Sequence, residues 1–162
     1  TQTALSMADE VAIMRDGRIV QQGPPMVVYA EPSTTEVASF VGDAMVLEAV
    51  SDGERVHSAV GYVRAGTPVP GAGRLVLRPE QIVVLPRGAA GVPGTVVTTD
   101  FFGHDALVTV AVDSAATVVR ARVLGAPVHL TAGAEVSLFV KGEGAYFPDP
   151  ARPEAAAAKM DR

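Results

Sequence analysis

After Gly42 the chain changes from helical spacing to short runs in which apolar and polar residues alternate, and this alternation limits what it can fold into. A period of two puts every second side chain on the same face of a strand. In Thr117 to Leu124, Thr117, Val119, Ala121 and Val123 share one face, and Arg120 and Arg122 share the other. A sheet packed on one side and wet on the other has this pattern. Val136, Leu138 and Val140 repeat it near the end. The spacing predicts strands at 45–50, 55–63, 73–78, 81–86, 93–101, 105–112, 117–124 and 135–141, divided by Gly, Pro and Asp turn chemistry. Short strands so closely spaced predict a mainly β fold, closed as a small barrel or sandwich. No repeat of solenoid or propeller period is present.

Composition narrows the chemistry. Hydrophobic residues make up 48% of the 162, carried by Val and Ala rather than aromatics, which is enough for a real core. Gly 16 and Pro 12 fit many turns and short elements. The absence of cysteine excludes disulfides, thiolate catalysis, Cys-ligated zinc and iron–sulfur clusters. A net charge of -5 argues against nucleic acid as a partner, because tracking a phosphate backbone needs a basic face. No apolar run is long enough to cross a bilayer, and no basic start followed by an apolar stretch and cleavage site is visible.

The first segment, residues 1–42, has a different grammar. Leu5, Ala8 and Ala12 lie near one face of a helical pattern already under way at Thr1, so the N-terminus reads as incomplete. Val11 and Ile13 alternate, Asp16-Gly17 is a type I′ turn dipeptide, and Arg18 to Gln22 is the returning strand. Gly23-Pro24-Pro25 breaks that ladder and opens a short helix, Met26 to Ala30. Ser33, with Glu36 at capping-box spacing, is expected to cap a second helix that buries Val37, Phe40 and Val41 and stops at Gly42. Residues 43–148 form the β domain, and 149–162 a flexible tail with little to bury.

Motifs for catalysis are missing. No G-x-x-x-x-G-K-[ST] loop is present to cradle phosphates, and no G-x-S-x-G nucleophile elbow occurs. His57, His104 and His129 have no second histidine at ligand spacing, so no metal site is expected. Asp100 and Asp105 flank Phe101-Phe102-Gly103-His104, which reads as a hairpin corner with its aromatics inward and Gly103 at the bend. In Leu77-Arg78-Pro79-Glu80-Gln81-Ile82, Pro79 must interrupt or edge a strand. Arg78 and Glu80, two apart, would share a side in extended conformation as a local ion pair.

Two of these strings carry a family resemblance. Ala4 to Gly23, continued by Pro24-Pro25, Val28 to Pro32 and Val37 to Gly42, resembles the stretch just after the switch histidine in ABC importer ATPases of the maltose, polyamine and ferric-iron type. Leu77, Arg78, Pro79 and Glu80 resemble the LRPE signature of the TOBE (transport-associated OB) domain, and Phe102, Gly103, His104 and Asp105 the aromatic-Gly-His motif that follows it. Val136 to Tyr146, followed by Pro148, is similar to that domain's closing strand.

The resemblance implies the C-terminal α/β remnant of an ABC nucleotide-binding domain over 1–42 and an OB-like TOBE barrel over 43–148. The eight signature residues would then be structural or regulatory. By spacing, the switch histidine would precede Thr1, and the Walker A, signature and Walker B segments would lie further upstream. No catalytic, cofactor-binding or metal-binding residue is therefore assigned to this chain. ATP and Mg²⁺ would belong to the full-length relative, an ATPase at the cytoplasmic face of the membrane. Its implied partners are a second copy of itself, held through the barrels, and the permease subunits of an importer. The implied substrate is ferric iron first, then polyamine or thiamine. A stand-alone OB-fold module for a small ligand, an oxyanion or single-stranded nucleic acid is the competing reading.

Overall fold

The computed structural model describes residues 2–150. The first unit is built from α1 (Gln2–Met7), β1 (Val11–Arg15), β2 (Arg18–Gly23), α2 (Pro25–Ala30) and α3 (Thr35–Val41). β1 and β2 form an antiparallel hairpin around Asp16 (φ 51°) and Gly17 (φ 75°), the two left-handed positions that an Asp-Gly pair supplies. Pro24 precedes α2, with Pro25 in its first turn, where a missing N–H costs nothing.

The cap of α3 is Thr34 rather than Ser33: its Oγ1 accepts from Val37 N at 3.1 Å. The Ser33 amide instead donates to Gln21 Oε1, and Glu36 pairs with Arg15 at the end of β1. Thr34→Ala should cost about 1 kcal/mol, the usual worth of such a cap, read as a shift in the urea midpoint. Val37 and Val41 are buried as expected, but the third buried residue is Ala38, while Phe40 is 62% exposed. The core of this unit is thin. It consists of Ile13, Val28, Val37 and Val41, with Leu5, Val11 and Tyr29 against them.

The second unit holds two five-stranded antiparallel sheets. One contains β3 (Met45–Ser51), β4 (Val56–Ser58), β5 (Gly61–Val63), β6 (Gly71–Leu77) and β12 (Ala145–Pro148), in the order β12-β6-β3-β4-β5. The other contains β7 (Ile82–Pro86), β8 (Val92–Phe101), β9 (Asp105–Val112), β10 (Val118–Leu124) and β11 (Glu135–Val140), in the order β10-β9-β8-β11-β7. Both sheets curl until their outer strands approach. In the first, Arg64 bridges Glu143, and Gly144 N donates to Arg64 O at 2.9 Å, which links β5 to β12. In the second, β10 lies against β7 and against the short 3-10 turn Pro79–Gln81. Curling covers edges that would otherwise offer unpaired backbone groups. One core fills the space between the sheets, with Leu75, Leu77, Val96, Val108, Val110, Val119 and Leu138 fully enclosed.

The fold is the expected mainly β, OB-like barrel behind a small α/β unit. One strand divides where continuity was expected. Residues 55–63 form a hairpin, because Ser58 Oγ accepts from Val60 N and donates to Gly61 O, and Gly61 takes φ 89°. The final strand, β12, pairs with β6 from Ala145↔Val76 to Pro148↔Gly73. Of the tail, Asp149 N still bonds Ala72 O at 3.0 Å, while residues 151–162 lie outside the described residues.

Candidate functional site

The Leu77–Gln81 string sits where β6 turns into β7. Leu77 and Pro79 are enclosed in the core, and Pro79 opens the 3-10 turn, where it needs no donor. That turn separates Arg78 from Glu80, so the local ion pair expected of an extended segment does not form. Arg78 is only 6% exposed and reaches back across the chain to the first unit. Its Nη1 faces the carbonyls of Ala38 (2.7 Å), Gly42 (3.1 Å) and Asp43 (3.0 Å), and its Nη2 donates to Tyr29 O at 3.0 Å. The guanidinium also stacks on the Tyr29 ring, 4.2 Å from its centroid.

These carbonyls belong to the C-terminal ends of α2 and α3, where backbone acceptors lack partners and the helix dipole is negative. One buried cation therefore caps two helices. Burial pulls the Arg78 pKa below the ordinary arginine value, and the nearby Tyr29, Glu80 and Asp43 push it back. It remains charged at neutral pH.

Glu80, exposed on the other side of the turn, accepts the Tyr29 hydroxyl. Burial first, then the Glu80 bond and charge, push the Tyr29 phenol up from 10.0 to about 12. A pKa raised on folding favours the folded state below the unfolded value and loses that contribution as pH climbs through the folded one. Tyr29 should therefore stabilise the protein up to about pH 10 and cease to do so between 10 and 12. Burial also raises the Tyr146 phenol, so phenolate absorbance followed against pH should lose its component at about 12 in Tyr29→Phe and keep it in Tyr146→Phe.

Gln81 locks the turn. Its Oε1 accepts from Arg78 N at 2.9 Å, and its Nε2 donates to Lys141 O (3.2 Å) and Glu143 O (2.8 Å), just ahead of β12.

The Phe101–Asp105 corner turns at Gly103 (φ 96°), with Phe102 N bonded to Asp105 O at 2.8 Å. Its aromatics do not pack inward: Phe101 is 56% and Phe102 59% exposed. Phe101 lies on the side facing the 126–132 loop, where it lines an open apolar cleft of about 540 Å³ with Val97, Val128 and Leu130. His104 is exposed, its Nε2 3.5 Å from Asp105 Oδ1.

Asp105 is the buried member of this corner, only 4% exposed, and accepts from Arg122 Nη1 at 2.8 Å. That bond leads the forces that raise the Arg122 pKa above the ordinary arginine value. Arg122 Nη2 reaches Asp43 Oδ2 at 3.5 Å, and Arg120 Nη1 lies 3.9 Å from Asp43 Oδ1.

The two signature strings thus meet at Asp43. Arg78 takes its carbonyl, and Arg122, held by Asp105, approaches its carboxylate. A cleft of about 450 Å³ lies beside them, lined by Leu5, Tyr29, Val41, Asp43, Glu80 and Arg122. Leu77, Arg78, Pro79, Glu80 and Asp105 belong to this junction, whereas Phe102 and Gly103 do not. Tyr29, Asp43 and Gln81 join it without having been singled out as site residues. Tyr29 and Asp43 lie 51 and 35 residues from the groups they meet, a separation that no local pattern reveals. Among the described residues there is no cluster of metal-ligating side chains and no buried side-chain polar atom without a partner. The arrangement neutralises charge and binds backbone, as a joint does.

Residues 75–147 match the TOBE domain family. The chain is 42% identical over 150 residues to the Fe(3+) ions import ATP-binding protein FbpC 1 of Rhodococcus jostii (strain RHA1), spanning 90% of this chain and 43% of that protein. It is 36% identical over 155 residues to the FbpC protein of Pseudomonas fluorescens (strain Pf0-1), spanning 91% and 43%. The chain therefore covers less than half the length of these relatives. Among solved structures, the cytoplasmic molybdate-binding protein ModG superimposes with a TM-score of 0.52 at 16% identity, over 65% of this chain and 96% of that one, a likeness of fold. With the LRPE turn and the closing strand both inside the matched region, residues 75–147 carry a TOBE domain, and the chain is similar over nine tenths of its length to the C-terminal portion of Fe(3+) ions import ATP-binding proteins.

Proposed function

We propose that this chain is the regulatory and dimer-forming end of the ATP-binding subunit of a ferric-iron importer. The observation that carries the reading is 42% identity across 90% of the chain to a protein named for Fe(3+) import, of which the chain spans 43%. In this reading the remainder of the subunit binds ATP and Mg²⁺ and hydrolyses ATP. The subunit works as a homodimer beneath the permease subunits, at the cytoplasmic face of the membrane. The barrels keep two copies together while the ATPase parts open and close, and such a tether raises their effective concentration. The exposed apolar side chains of the first unit support the reading that the remainder of the subunit packs against it. Met7 (81%), Met26 (84%) and Phe40 (62%) surround a core of four buried residues, too few to stand alone.

A chimera tests the reading. The portion of the Rhodococcus jostii relative that precedes the matched region is joined to Thr1, and ATP hydrolysis is measured with the relative's permease. The chimera should hydrolyse ATP, and the chain alone should not bind a nonhydrolysable ATP analogue. A folded but inactive chimera, or micromolar analogue binding by the chain alone, contradicts the proposal. Ferric-iron uptake compared with polyamine uptake in cells carrying the chimera decides the substrate. Light scattering that finds only the 16.7 kDa monomer at high concentration removes the dimer-forming role.

A further inference from the structure

From the geometry at Gly42 we infer that the junction between the two units is a latched joint rather than a hinge, so α2 and α3 move as part of the barrel. A glycine between a helix and a barrel strand looks like a flexible pivot. Here Gly42 has φ 174°, an extended conformation that any residue adopts, so conformational freedom does not explain it. Close approach does: a Cβ at this position would lie 3.0 Å from the edge of the Tyr29 ring and 3.8 Å from Arg78 Nη1. The residue is pinned between the ring and the guanidinium.

The latch has two layers of different strength. The inner layer is Arg78, buried and shared among the carbonyls of Tyr29, Ala38, Gly42 and Asp43, so it fixes both helices and the linker at once. Tyr29 closes it from the other side through Glu80. The outer layer is the Asp43 carboxylate between Arg120 and Arg122, at 3.9 and 3.5 Å. Its side chain is 52% exposed, so water and salt weaken it. Arg120 Nη2 adds a long contact to Ala44 O at 3.5 Å. Rigidity therefore rests on the buried arginine, and the outer ion pairs adjust it. The consequence is mechanical: a displacement of the barrel carries α2 and α3 with it.

The chain has no native cysteine, so paired spin labels are placed without background. One pair, Met26→Cys with Val128→Cys, joins α2 to the barrel at two exposed positions. A second pair, Val69→Cys with Val128→Cys, lies within the barrel. Pulsed electron spin resonance should give one narrow distance peak for each pair. Arg78→Gln should abolish the narrow peak of the first pair and leave the second unchanged, and Asp43→Asn should leave both narrow. Arg78→Lys keeps the charge without the four-carbonyl geometry and should also broaden the first pair. If Arg78→Gln disturbs the barrel pair, the lysine variant decides. A broad first-pair distribution in the otherwise unaltered chain overturns the inference. So does a narrow one surviving in the folded Arg78 variants, or an Asp43→Asn effect as large as that of Arg78→Gln.

Discussion

Arg78→Met is expected to lower folding stability by about 3 kcal/mol, far more than an ordinary surface change. Methionine fills much of the same space, so the loss reports hydrogen bonding rather than volume. Four carbonyl oxygens at the ends of α2 and α3 lose their donor, and the Tyr29 ring loses its stacked cation. A buried acceptor left unpaired costs about 1–3 kcal/mol, reduced here because the opened junction admits water to some of them. Arg78→Lys should recover less than half, since one ammonium cannot span the same fork. Urea unfolding of both variants measures the difference. Limited proteolysis locates it: cleavage should move into residues 1–42 well before the barrel is attacked. A methionine variant within about 0.5 kcal/mol of the original would show that the guanidinium is decoration.

Gly91→Ala is the second large effect expected, again about 3 kcal/mol, for a different reason. Gly91 leads into β8 with φ 132°, a region L side chains rarely adopt, and an added Cβ would lie 2.3 Å from Leu138 O. The obstacle is strand backbone, which has no rotamer through which to yield. Leu138 is fully buried in the core and pairs with Val92, so moving it disturbs the β8–β11 ladder. Gly88 is the control. It has φ 93°, and a Cβ added there would meet nothing within 4 Å, so Gly88→Ala should cost only the conformational part, about 1 kcal/mol. Equal losses at the two positions would assign the effect to φ alone and contradict the close-packing account.

Local patterns were legible wherever the determining forces are local. The Asp16-Gly17 turn forms as its two residue types demand, because each must tolerate positive φ. Val119 and Ala121 are buried while Arg120 and Arg122 face outward, because a strand has period two and this one has a single wet face. The Leu77–Glu80 string indicated an OB-like TOBE barrel, and the fold and the match over residues 75–147 agree with it. Two local expectations failed, the cap, which is Thr34 and not Ser33, and the unbroken strand over 55–63, which turns at Ser58 to Gly61; the others that failed depended on neighbours. Phe40 has the right spacing to be buried, yet among the described residues it stands 62% exposed. Phe101 and Phe102 are apolar beside a bend, yet their corner lies beside an open cleft.

The sequence by itself determined the strand alternation, the turns that Gly, Pro and Asp mark, and the resemblance to the TOBE domain, since each is written in residues close together along the chain. Only the tertiary structure decided what the alternation encloses and how its sheets close. Leu75 and Leu138 meet in one core although they belong to different sheets. It also decided the work of Arg78. Read locally, Arg78 and Glu80 are a pair of opposite charges two residues apart. In the fold, the turn at Pro79 separates them, one toward the ends of two helices and the other toward the tyrosine between them. The physical reason is distance along the chain: the carbonyls that Arg78 binds lie 35 to 49 residues earlier, and only folding brings them within reach.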